Sequence, residues 1–239
     1  FVVGWQGDEQ DGDGQGIFGQ RFDSDGAPAG TEFQVNTQTG NNQKFPSVGI
    51  APSGAFVVVW RHEPDSFTSY ISGQRFDSSG APAGTEFRID TLGELPAHPS
   101  VDMAADASFV VTWTAYDPND GYSDIAARRY DSSGAPLGTE FVVNSVTYSS
   151  QREPSVAVEG DGDFVVTWST YYVDGDGYGI GAQKFDSSGS LVGSELLVNQ
   201  AFDNDQETPV AAATAADTFV IVWESRDDDS DVKGRVILP

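Results

Sequence analysis

The sequence predicts an all-β protein built of stacked four-stranded sheets, on three observations. One apolar segment recurs five times, as FVVGW (1–5), FVVVW (56–60), FVVTW (109–113), FVVTW (164–168) and FVIVW (219–223). Its tryptophans stand 55, 53, 55 and 55 residues apart. The stretches between them recur in phase as short runs rich in Val, Phe and Ile, bounded by Gly, Asp, Ser and Pro, which is the punctuation of strands. No stretch shows a convincing helical period.

The FVVxW runs are apolar on both faces, as central strands buried on two sides are. After each Trp comes a polar loop and then a second element: GIFGQRF (16–22), YISGQRF (70–76), DIAARRY (124–130), GIGAQKF (179–185) and a degraded DVKGRVI (231–237). A turn follows, DSDG (23–26) and then DSSG at 77–80, 131–134 and 186–189. Asp at the first position and Gly at the fourth is type I turn grammar, with Asp capping backbone amides and Gly supplying a positive φ. The third element is EFQVN (32–36), EFRID (86–90), EFVVN (140–144) and ELLVN (195–199). The fourth is PSVGI (46–50), PSVDM (99–103), PSVAV (154–158) and PVAAA (209–213), each Pro ten residues before the Phe of the next copy. A proline that opens a strand breaks no ladder bond.

One repeat thus carries four antiparallel strands, and a single such sheet cannot bury both of its faces, so it stacks on its copies. Radial stacking of four-stranded sheets gives a β-propeller; a linear β-solenoid is the competitor, with shorter repeats. The strand count is 4 × 4 + 2 = 18, since the fifth copy stops after its second element. Five blades are expected, one of them incomplete and built from the two termini; a four-bladed ring with an overhanging hairpin is the alternative. The chain is read as one domain, 1–239, with repeats 1–55, 56–108, 109–163, 164–218 and a partial 219–239. A segment cut from a longer array is also open.

Twelve basic against 37 acidic residues give a net charge of −25, which repels phosphate backbones and anionic membranes and favours cations. Nucleic acid and membrane insertion are therefore excluded as expectations. Cysteine is absent, so there is no disulfide framework and no thiolate metal site. No apolar run approaches the length of a membrane span. The chain begins at Phe1 without a signal-like stretch, which reads as a mature or excised product.

The unit FVVxW–loop–GIxxQRFDSSGAPxGxEFxVN–PSVAxxxDGxFVVxW resembles repeats of very large secreted bacterial proteins that accompany calcium-binding and cadherin-like modules. The run PSVAVEGDGDFVVTW (154–168) is similar to the proline-to-DG hairpin of Tol-type periplasmic propellers. The resemblance implies a secreted or cell-surface setting and a binding or structural role. It supplies no catalytic residue.

The loops after tryptophan are where the repeat varies. Asp11 and Asp13 follow Trp5 at the same spacing as Asp174 and Asp176 follow Trp168. The second copy has Glu63 and Asp65, the third Asp117, Asp120 and Asp124, and the fifth Asp227, Asp228, Asp229 and Asp231. These loops exceed what a two-strand connection needs. Aspartates alternating with glycine can wrap calcium, which takes six to eight oxygens, so Asp11, Asp13, Asp174 and Asp176 are the candidate Ca2+ ligands. The match is incomplete, because no bidentate Glu closes the loop, and a solvated acidic loop is the competing reading. The tryptophans could be sugar platforms; packing between blades, with each indole N–H on a backbone carbonyl, explains them better. Arg21, Arg75, Arg129 and Lys184 recur two residues before each turn and are expected to pair with Asp or Glu across strands or blades.

Nothing in the sequence marks catalysis. His62 and His98 lie in different repeats, and no G-x-S-x-G, P-loop or H-E-x-x-H occurs. Repeats this similar also argue against one asymmetric active site. The expectation is a non-catalytic adhesion or structural module, with calcium on some outer loops and a glycan or cell-surface protein as partner. A lectin with one site per blade is the alternative, and a glycosidase comes third. Incomplete terminal repeats would allow self-association.

Overall fold

The computed structural model describes residues 1–91, 94–200, 203–214, 218–226 and 230–237. Eighteen strands form five antiparallel sheets, and the five-bladed propeller class is borne out. The first blade holds β1 (Val2–Asp8), β2 (Gln15–Arg21) and β3 (Phe33–Gln34). The second holds β4 (Asn42–Ile50), β5 (Phe56–Glu63), β6 (Tyr70–Phe76) and β7 (Phe87–Arg88). The third runs β8 (Glu94–Met103), β9 (Phe109–Tyr116), β10 (Ser123–Tyr130) and β11 (Phe141–Val142). The fourth has β12 (Gln151–Val158), β13 (Phe164–Tyr171), β14 (Tyr178–Phe185) and β15 (Leu191–Leu197). The fifth has β16 (Gln206–Ala213), β17 (Phe219–Arg226) and β18 (Ser230–Ile237).

Each complete blade begins one strand earlier than a repeat cut at FVVxW. The proline-led strand pairs with the FVVxW strand that follows it, Ile50 opposite Phe56 and Val158 opposite Phe164. This corrects the expectation of one blade shared by the termini. Among the described residues β1 pairs only with β2 and β18 only with β17, so the first blade has no inner strand and the last no outer one. The physical reason is the short hairpin between the proline strand and FVVxW, which binds those two elements into one sheet.

The FVVxW strands sit as their composition demands. Phe56, Val57, Val58, Val59 and Trp60 are all buried. Alternate residues face opposite neighbours. Phe164, Val166 and Trp168 pack with Val110, Ile125, Ala127 and Val143 of the third blade, whereas Val165 packs with Phe219, Ile221 and Trp223 of the fifth. Trp60, Trp113, Trp168 and Trp223 thus wedge between blades. Their N–H groups are not met by backbone carbonyls as expected: Trp168 Nε1 donates to the Gln151 side chain at 2.9 Å. Trp60, Trp113 and Trp223 leave that atom without a partner.

Polar clamps repeat at the same interfaces. Ser47, Ser100 and Ser155 each accept a backbone N–H from the next inner strand, of Val101, Val156 and Ala211. Glu86, Glu140 and Glu195 reach back to Thr37, Thr91 and Ser145 of the preceding blade. The in-phase arginines do cross between blades, but to carbonyls rather than carboxylates. Arg21 donates to Ser78 O and Arg129 to Ser187 O, both at 2.6 Å, while Lys184 lies over the Phe219 ring. The DSSG turns behave as read. Asp131 Oδ1 accepts from Ser133 N and Ala135 N, and Gly134 has φ 83°. That glycine is doubly required, since a Cβ there would meet the Arg75 guanidinium at 2.4 Å.

The two end blades leave faces uncovered. Phe1 is 61% exposed and Val3 44%, and on the last blade Val210 and Val232 are 56% and 81% exposed. Trp113→Ala should therefore cost about 3–5 kcal/mol, as large-to-small changes in a packed core do, and Trp5→Ala, half-buried on an uncovered face, distinctly less. Urea unfolding of the two variants checks this; equal losses would mean that the first blade is covered.

Candidate functional site

The loops after tryptophan and the starts of the inner strands share one rim, because Asn42 at the start of β4 lies opposite Glu63 at the end of β5. The DSSG turns lie at the other rim. The rim is organised by a residue that sequence reasoning passed over, the last of each EFxVN element. Asn36, Asp90, Asn144 and Asn199 are buried and accept the N–H of Ile17, Ile71, Ile125 and Ile180 at 2.8, 2.5, 2.7 and 2.8 Å. The asparagine amides then tie down the loops: Asn36 Nδ2 donates to Asp11 Oδ2 and Asn199 Nδ2 to Asp174 Oδ2.

The four expected calcium ligands are thus spent largely on the protein itself. Asp13 Oδ2 accepts from Asn41 N and Asp176 Oδ2 from Asn204 N, fastening each loop to the connection before the next blade. One oxygen, Asp11 Oδ1, is buried without a partner. Among the described residues no group of three or more His, Cys, Asp or Glu gathers as a metal site. Asp227, Asp228 and Asp229 lie outside the described residues.

The inner strands converge on a different constellation. β4, β8, β12 and β16 pack side by side, and each carries a register shift near its start. At each irregularity one residue before a proline adopts a left-handed backbone: Phe45 (φ 55°), His98 (49°), Glu153 (56°) and Thr208 (50°). Proline disfavours the helical region for its predecessor, and a left-handed non-glycine costs about 1–3 kcal/mol. Neighbouring blades hold three of these residues in place. Phe45 N donates to Gln6 Oε1, Glu153 N to Thr114 Oγ1 and Thr208 N to Ser169 Oγ. The backbone is the same in all four blades and the side chain is different in each.

Around this rim stand several charged and aromatic groups. Glu63 takes Lys44 Nζ at 2.9 Å on one oxygen and Arg61 at 3.3 Å on the other. The Phe45 and His98 rings touch, with centroids 5.4 Å apart. Burial lowers the pKa of His98, Glu153 opposes that fall, and Arg61 and Arg152 add to it. Arg152 lies over the Tyr178 ring and pairs with Glu207, whose second oxygen holds Arg226 at 2.9 Å. Glu153 is lightly held: its contacts are Ser169 Oγ at 3.4 Å and Arg152 Nε at 4.0 Å. Large exposed aromatics stand on the surrounding loops, Phe67, Tyr148 and Tyr172. The signal for this site was in the sequence: the residue before each repeated proline reads Phe, His, Glu, Thr, a divergent column inside a regular repeat.

No family model and no curated protein matches the chain. Solved structures do. An endo-arabinase from Bacteroides thetaiotaomicron aligns over 100% of this chain and 89% of its own at 13% identity, with a TM-score of 0.54. An α-L-arabinanase from Penicillium chrysogenum, complexed with arabinobiose, aligns over 88% of this chain and 69% of its own at 13% identity, TM-score 0.55. A protein of unknown function from Dyadobacter fermentans aligns over 99% and 75% at 11% identity, TM-score 0.61. Identities this low show the fold. They nonetheless overturn the expectation of a non-catalytic module and its lectin alternative, because two of these three neighbours are glycosidases rather than adhesins. The inference from repeat similarity fails with it, since the four pre-proline residues break the symmetry at one rim.

Because burial disfavours the charged form of both His62 and His98, the folded protein binds fewer protons there than the unfolded chain. Their contribution is complete above the unfolded value of about 6.5 and is lost as pH falls below it. Urea unfolding should show stability dropping between pH 7.5 and 5.5, with a shallower slope in His98→Asn, a residue that tolerates left-handed backbone. An unchanged slope would show that His98 does not titrate in this way.

Proposed function

We propose that the chain is a glycoside hydrolase whose active site is the bulged rim of the inner strands. The observation that carries this is Glu153, a carboxyl group at the bulge of β12 whose contacts are Ser169 Oγ at 3.4 Å and Arg152 Nε at 4.0 Å, and whose charge is felt by the imidazole of His98 on the neighbouring inner strand. Hydrolysis of a glycosidic bond needs a proton donor at the leaving oxygen and a second carboxylate on the opposite side of the sugar. Glu153 takes the first role. Its proton passes to the glycosidic oxygen as the bond to the anomeric carbon breaks. Water supplies the hydroxyl to that carbon, and its proton goes to the second carboxylate on the opposite side of the sugar. Phe45, with Phe67, Tyr148 and Tyr172 further out, offers rings for sugar faces to stack on, which favours a polymeric substrate. The arabinan-cleaving neighbours of the same fold support this substrate class. A secreted or cell-surface setting goes with it, supported by the repeat resemblance.

Reducing-sugar release from arabinan, arabino-oligosaccharides and xylo-oligosaccharides tests the reading. Glu153→Gln should lower kcat by about 10²–10⁴-fold, the usual worth of a general acid, at an unchanged melting temperature. Failure to cleave any of these glycans, or full activity in Glu153→Gln, would sink it.

A calcium ion on the outer loops is a separate proposal, favoured by the unpartnered Oδ1 of Asp11. Millimolar calcium should raise the melting temperature over that in chelator, because a ligand bound only to the folded state stabilises it. Identical melts would remove the ion from this loop.

A further inference from the structure

We propose that the bulged rim of the inner strands binds a glycan bearing a carboxylate, as a uronic acid unit does, with Arg61 and Arg152 as the groups that receive it. The proposal rests on the reading of this rim as the glycan site and names the class of sugar that the site takes. The chain is strongly acidic, yet four of its 12 basic residues stand here: Lys44, Arg61, Arg152 and Arg226. Their partners in ion pairs are Glu63, Glu207 and Glu224. With Glu153 protonated, as a general acid is before it donates, 4 − 3 leaves one positive charge here on a protein of net charge −25.

Ion pairing does not use all of the donors. Glu63 takes a terminal nitrogen of Arg61 at 3.3 Å, and Glu207 takes one of Arg152. The Nε of both arginines is buried without a hydrogen-bond partner. Glu153 lies 4.0 Å from Arg152 Nε, beyond hydrogen-bond reach. A buried donor without an acceptor is costly, and a guanidinium cannot shed its proton to escape that cost. The repeat marks the place as well. Phe45, Glu153 and Thr208 each send the backbone N–H to the side chain that follows the tryptophan of the preceding blade, Gln6, Thr114 and Ser169. For His98 that position is Arg61, which has donors and no acceptor. A donor thus stands where its three counterparts accept, and an acceptor from outside completes the pattern. Arg152 reaches the same spot from the other side. Burial lowers the His98 pKa most, Glu153 opposes the fall, and Arg61 and Arg152 add to it, so charges from the blades before and after act on one imidazole.

A carboxylate fits these donors. A guanidinium meets its two oxygens with a planar fork of N–H groups. A uronic acid carries the group on a ring whose apolar face can rest on Phe45, which is 43% exposed and touches the His98 ring.

The probes are a xylo-oligosaccharide carrying one glucuronic acid and the same molecule with that carboxyl reduced to the alcohol. Both are titrated by calorimetry into Glu153→Gln, so that binding is read without turnover. The acidic probe should bind about tenfold or more tightly, since hydrogen bonds to a charged group are the stronger ones. That ratio should shrink as salt rises from about 0.05 to about 0.5 M. It should fall towards one when Arg61→Gln or Arg152→Gln is added, and hold in Arg75→Gln, beside the Gly134 turn of the opposite rim. The first comparison changes only the ligand, so it stands even where an arginine variant fails to fold. Equal binding of the two probes, no binding of either, or a ratio that survives both arginine substitutions would overturn the proposal. Equal cleavage of the two probes by the chain with Glu153 intact would overturn it and leave the hydrolase reading standing. Preference for the acidic probe without cleavage would support it and sink the hydrolase reading.

Discussion

A sheet whose central strand is apolar on both faces has no stable existence alone, and everything else in this molecule follows from that constraint. Val165 cannot be buried by the blade that buries Val166, so each blade needs two neighbours. The tryptophan at the end of the strand enlarges the buried area, and the serine, glutamate and arginine clamps fix how far each blade may slide on the next. None of the clamps is strong alone. Their value is geometric, since they set where the four inner strands begin, and hence where Phe45, His98, Glu153 and Thr208 are placed along the rim.

Most of the architecture was legible. Strand number, the burial of FVVxW and the turn role of Asp131 and Gly134 all follow from composition and position. The blade boundary was not, because a meander reads the same wherever it is cut, and only pairing shows that Ile50 belongs with Phe56. The partners of Arg21 and Arg129 were also misjudged. Scarcity of positive charge pointed to carboxylates, yet a guanidinium beside a tight turn finds backbone carbonyls within hydrogen-bond reach.

The candidate site was hidden by the same regularity that exposed the fold. Attention to what recurs favours the acidic loops, where Asp11 and Asp174 match, and there the structure shows carboxylates tying loop to strand through Asn36 and Asn199. The candidate column is the one that does not recur. Its residues share a strained backbone and nothing else, so the repeat supplies a fixed mount and each blade a different tool. Left-handed residues held against proline cluster at functional sites because their cost must be met by surrounding contacts.

The clamps have one consequence for how the chain reaches this state. Ser47 to Val101, Ser100 to Val156 and Ser155 to Ala211 all join residues one repeat apart. Pairing within a blade is more local still. No contact of this kind waits for a distant part of the sequence, so loop-closure entropy is similar at every step and contact order stays low for an all-β protein. Such a chain can be laid down blade upon blade as it is synthesised, each finished sheet serving as the template for the next.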